Sequence, residues 1–127
     1  MILGKIVEKR IFFLRGHRIV LSYDLADLYQ VPTKALMQAI KRNLERFPED
    51  FIFQLTPEES AAISRSQFVT LKQGKNLKYA PYAFTEQGIA MLSGVLQSST
   101  AIKVNIEIMS AFVRLREIDA TNSNLLC

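Results

Sequence analysis

Lys34, Gln38, Lys41 and Arg42 follow one another at steps of four, three and one residues, which places them on one face of an α-helix. Lysine and arginine neutralise phosphates and reach guanine edges, and glutamine can bond adenine through two hydrogen bonds. Together these side chains suit a ligand that is both polyanionic and base-bearing, namely duplex DNA. Thr33 stands just ahead of them, where a helix N-terminus offers free N–H groups and a positive dipole end to a phosphate. A second basic set, Lys72, Lys75 and Lys78, surrounds Gly74. A two-stranded ribbon with such a tip can lie along the DNA backbone beside a major-groove helix. The same lysines also suit protection of an exposed strand edge. Tyr79 and Tyr82 fit either base stacking or strand packing.

Other chemistries lack their residues. The only histidine is His17 and the only cysteine, Cys127, is the last residue. Neither a catalytic triad, a metal-binding His/Cys pattern nor a glycine-rich phosphate loop is present. Glu49/Asp50 and Glu58/Glu59 are adjacent carboxylates, which read as loop and helix-cap charges. The expectation is a protein that is not an enzyme, with no cofactor, no metal and no small-molecule substrate.

The chain has 127 residues and a formal net charge of +4. Leu, Ile, Val and Phe make up a third of it, enough for one globular domain without disulfide staples. The longest stretch free of charge, Gln87 to Ile102, is 16 residues long, short of the roughly 20 mostly apolar residues of a membrane span. No signal peptide is recognisable, and a cytoplasmic protein without a membrane partner is expected. Charge is segregated. Four bases and no acid lie between Ser60 and Thr85, and Lys34, Lys41, Arg42 and Arg46 face only Glu45 between Thr33 and Phe47. The acids collect elsewhere, as expected of a side turned toward a polyanion.

The elements that would position these residues can be read in order. Two β-rich runs flank Arg15-Gly16-His17 and predict a hairpin. Ser22 is expected to cap a two-turn helix reaching about Gln30. Pro32 breaks it, and Thr33 caps a second helix from Lys34 to about Arg46. Leu36, Ile40, Leu44 and Phe47 fall on the face opposite the basic one and predict the core side. This short helix, tight turn and second helix suit a helix-turn-helix, with Ala26 allowing close crossing. Phe51 to Leu55 alternates as a strand. Thr56-Pro57-Glu58-Glu59 is a helix start that runs to about Arg65. Phe68–Leu71 and Leu77–Tyr82 predict a further hairpin. Thr85 caps a helix over Glu86–Gln97, and a last helix ends near Ile118, leaving a frayed tail, 119–127. The fold class is α+β: a helix-turn-helix-like pair, β-hairpins and two C-terminal helices in one compact domain. Its core is expected from about 10 to 118, and a further C-terminal region could follow.

The last helix carries two apolar stripes, Ile102/Ile106/Met109/Val113 and Val104/Ile108/Ala111/Leu115/Ile118. A surface helix needs one. Either the helix is central in its own domain or it is shared with a second copy. The expectation taken is a homodimer through this helix, which would present two reading helices to a symmetric site.

Four blocks of this sequence are also familiar. They are Ser22–Tyr29 with Val31–Lys34, Lys41–Thr56, Tyr82–Leu92 and Val104–Arg116. In this order and spacing they resemble the phage "ORF-six N-terminal" DNA-binding domain, a family related to the KilA-N and Bro-N domains. The resemblance spans about Ile11 to Glu117. It implies a compact α+β DNA-binding module, often at the N-terminus of antirepressor-like phage or prophage regulators. Members commonly have Gly where this chain has Gln30, which implies either a strained left-handed residue or a turn that stays right-handed. A rival reading is an interaction module that binds another regulator rather than DNA.

Overall fold

The computed structural model describes residues 2–66 and 81–126. Helix α1 (Ile2–Lys9) leads into strands β1 (Ile11–Leu14) and β2 (His17–Leu21), followed by helices α2 (Ser22–Tyr29) and α3 (Thr33–Lys41). A single 3-10 turn at Leu44–Arg46 precedes β3 (Ile52–Gln54) and α4 (Pro57–Ser66). Strand β4 (Tyr82–Phe84), helix α5 (Glu86–Leu92) and the long helix α6 (Ser99–Leu126) complete the chain. The expected hairpin Phe68–Tyr82, with Lys72, Lys75 and Lys78 at its tip, lies outside the described residues except for Pro81 and Tyr82.

The four strands form one antiparallel sheet in the order β1-β2-β4-β3. Its first hairpin turns at Arg15 and Gly16, both with positive φ, the geometry that matches the strand twist. Ile11 pairs with Val20, Val20 with Phe84, and Phe84 with Ile52. That row belongs to the larger apolar cluster, with Leu25, Leu36, Ile40, Ile89 and Ile108 from the helices. Period-two alternation sends Ile19, Leu21 and Ala83 to the other face, where they meet Leu55 and Ile63 of α4.

Two helix starts are as read. Thr56 Oγ1 accepts from Glu59 N at 3.1 Å while Glu59 Oε1 accepts from Thr56 N at 2.8 Å, a closed capping box. Thr85 Oγ1 accepts from Gly88 N and donates to Phe51 O at 2.9 Å. Gly88 is required there, because a Cβ would lie 2.4 Å from Phe51 O.

Four expectations need correction. Ser22 is not a cap: Leu21 holds that position, and Ser22 Oγ accepts from Tyr82 N at 3.2 Å instead. Helix α5 stops at Leu92, not Gln97, with Ser93 as its C-cap and Gly94 following. The tail from Asp119 continues as helix to Leu126. No Gly or Pro interrupts the chain after Gly94, and Asp119 is held by two contacts from Arg18 at 2.7 and 3.1 Å. The packed core also begins before residue 10. Helix α1 packs against α6 and buries Val7 completely.

Candidate nucleic-acid interface

Helix α2 ends where its chain turns left. Gln30 has φ 62° and ψ 43°, so of the two turns that the sequence allowed here the left-handed one forms, without glycine. Gln30 N donates to Asp27 O at 3.1 Å and Val31 N to Ala26 O at 2.9 Å. This pair of crossed bonds is a Schellman motif, which satisfies the last carbonyls and stops the helix. Val31 then tucks toward the core, and Pro32, with its fixed φ, launches α3. Pro32, not Thr33, is therefore the cap residue, and no side chain caps this helix. Thr33 is the first helical residue and is exposed.

The pair is anchored from behind. Arg10 contacts Asp24 at 3.0 Å and Asp27 at 3.1 Å. Asp24 is buried, and its Oδ2 has no hydrogen-bond partner among the described residues. Burial pushes its carboxyl up to about 6, although Arg10 pulls it down. The Tyr29 hydroxyl donates to Asn105 Oδ1, tying the end of α2 to α6. Burial pushes that phenol upward, so it remains a neutral donor.

Helix α3 divides as its sequence requires. Leu36 and Ile40 are 1% exposed. Thr33, Lys34, Gln38, Lys41 and Arg42 are all exposed on the opposite side. The structure thus brings five of the eight candidate residues onto one helix and its C-cap; Lys72, Lys75 and Lys78 lie outside the described residues. The helix is shorter than expected. It ends at Lys41 because Asn43 leaves helical geometry at φ −133°. The Asn43 side-chain amide donates to Ala39 O at 2.8 Å, occupying the carbonyl that a continuing helix would use. The change of path turns Leu44 out of the core to 60% exposure, while Phe47 still packs inside.

Arg46 was missed as a candidate because a continuous helix carries it off the Lys34–Arg42 arc. The 3-10 turn leaves it exposed beside Gly94. Asn43 was the available signal, since a short amide side chain competes with helix hydrogen bonds.

Electrostatics separates the cations of this rim from the other described arginines. Among the described residues, Lys34, Lys41, Arg42 and Arg46 have no carboxylate partner. Arg15, Arg18, Arg114 and Arg116 each have one, and Arg10 has two. Arg15 grips Glu59 through two bonds of 2.8 Å and lies over the Phe53 ring. Those bonds and the Thr56 N–H hold the Glu59 carboxyl down at about 2. His17 is exposed at the rim of a cleft shared by Phe13, Arg18, Glu86 and Arg116. The charges there are closed on one another, as Arg18–Asp119 and Arg116–Glu86. Among the described residues no cluster of three His, Cys, Asp or Glu could hold a metal, and no helix is long and apolar enough to cross a membrane.

A family model described as the ORF6N domain matches residues 9–95. The match takes in the helix pair, the whole sheet and α5; the block Val104–Arg116 lies beyond it. No curated protein and no solved structure matches the chain.

Proposed function

The chain belongs to the ORF6N domain family, a phage-type family, and on that premise we propose that it binds double-stranded DNA in a sequence-specific way, as a phage or prophage regulator of the antirepressor-like kind. The observation that carries this reading is the wet face of α3. It is the second helix of a tightly turned pair, it is exposed along its length, and its cations have no described carboxylate partner. In this reading Gln38 and Arg42 reach base edges in the major groove. Thr33, Lys34 and Lys41 hold phosphates, with the free N–H groups of the α3 N-terminus assisting. Lys72, Lys75 and Lys78 add backbone contacts that carry no base identity, a role resting on their sequence pattern alone. The chemistry needs no cofactor and no catalytic group, and the protein works in the cytoplasm, where phage and host DNA are read.

Selection of bound sites from a random duplex pool tests the reading. It is expected to return a defined motif, with affinity falling steeply as salt rises. Absence of binding to any duplex at low salt would overturn it in favour of a module that binds another regulator.

A further inference from the structure

Helix α6 turns only one of its apolar stripes inward. Val104, Ile108 and Ala111 are buried, whereas Ile102, Ile106 and Val113 are 50%, 59% and 45% exposed. Met109 between them is half-buried. The exposed set recurs at steps of four, three and four residues, the repeat of a coiled-coil seam. A helix that only covered its own core would need no such outer seam.

The flank of that seam identifies what covers it. Lys103, Ser110 and Glu117 recur every seven residues along one side of the stripe, the positions that set orientation in coiled coils. Lys103 and Glu117 are exposed, and no ion pair among the described residues engages either. They carry opposite charge at opposite ends, with neutral Ser110 midway. A two-fold axis near Ser110 therefore brings Lys103 of one copy to Glu117 of the other, twice, and packs Met109 of each copy beside Val113 of the other. A parallel pairing would place like charges at equal height.

We propose that α6 forms an antiparallel homodimer centred on Met109 and Val113, with Ile102 and Ile106 flanking them, oriented by Lys103 and Glu117 across the two-fold axis. Ile108 belongs to the core of its own chain, so of the two stripes the outer one is the interface. The inference is independent of the DNA reading, because it concerns the chain in the absence of any duplex.

Sedimentation of the chain without DNA across micromolar concentrations tests it. The expected result is a dimer that Val113→Glu converts to a folded monomer, as checked by circular dichroism. If Val113→Glu does not fold, Met109→Lys serves the same purpose. Lys103→Glu sets two like-charge pairs and is expected to weaken dimerisation about tenfold. Adding Glu117→Lys to it should restore the wild-type constant. A monomeric wild type, a dimer that survives the seam substitutions, or a double reversal no better than the single one would overturn the proposal. In the first two cases the stripe serves a different partner; in the third, the copies meet in another orientation.

Discussion

Arg42 and Arg46 stand without a described carboxylate partner, whereas Arg10, Arg15, Arg18, Arg114 and Arg116 each hold at least one. The five paired residues join separate elements: the turn before β1 to α2, the first hairpin to α4, β2 to α6, and α6 to α1 and α5. A guanidinium bonded to a carboxylate is neutralised locally and contributes little field beyond its pair. The α3 rim has the same residue types but leaves its charge toward solvent. One set of cations fastens the fold, and the other stays open to solvent, as the proposed reading requires. Charge counted along a sequence cannot separate the two sets, because pairing depends on where distant acids arrive.

The division can be broken most forcefully from beneath. Leu36→Ala and Ile40→Ala remove fully packed contacts under the rim and should each cost about 2–5 kcal/mol in denaturant unfolding. Any loss of duplex binding should then follow the fraction unfolded. An affinity loss at full folding would mean that the rim depends on the core beyond simple support.

Arg10→Ala comes next. It leaves the Asp24 carboxylate buried and unpaired, at a cost of about 2–4 kcal/mol at neutral pH. The pH dependence has a definite sign. Asp24 titrates near 6 in the folded chain, against an ordinary value of 3.8. Between these values the folded state holds a proton that the unfolded state has lost. This group's contribution to stability therefore rises as pH falls from about 6 to 4. The Arg10→Ala penalty should shrink in unfolding measured at pH 5, and a penalty that grows there would contradict the burial argument.

Gln30→Gly sharpens the account in the opposite direction. It relieves a left-handed non-glycine residue and should stabilise the domain by about 0.5–1 kcal/mol, since the gain is reduced by the greater freedom of glycine when unfolded. Duplex affinity should not change. Altered affinity would show that Gln30 itself touches the ligand.

The smallest effect is expected for Arg15→Ala. Its pair with Glu59 is largely exposed, so thermal unfolding at neutral pH should shift only slightly. The Glu59 carboxyl is held down at about 2, so the pair's contribution is present above its ordinary value of 4.5 and disappears as pH falls through 2.

Much of this division was legible beforehand, for identifiable reasons. Thr56, Glu59 and Thr85 signal helix starts through local hydrogen bonds, and local rules find them. Leu36 and Ile40 lie at helical spacing opposite Lys34, Gln38, Lys41 and Arg42, so the core and wet faces of α3 followed from periodicity. Leu44 and Arg46 did not, because periodicity assumes an unbroken helix and Asn43 ends it with one side-chain bond. Ser22 resembles a cap in sequence, yet the β4 amide of Tyr82 claims its hydroxyl from 60 residues away. The two stripes of α6 were visible, but which one faces inward depends on α1, α2 and α5, which no local pattern fixes. The membership of residues 9–95 in the ORF6N family agrees with the first three of the four sequence blocks.

The most direct test compares two double variants on the selected duplex over a series of salt concentrations. Lys41→Ala with Arg42→Ala strips the open rim, and Arg15→Ala with Arg18→Ala strips two paired cations. The first should remain folded, lose roughly tenfold or more in affinity, and flatten the slope of log affinity against log salt by about one per lost contact. The second should bind as the wild type does. Unchanged affinity in the first, or an equal loss in both, would contradict the assignment of α3 as the surface that meets DNA.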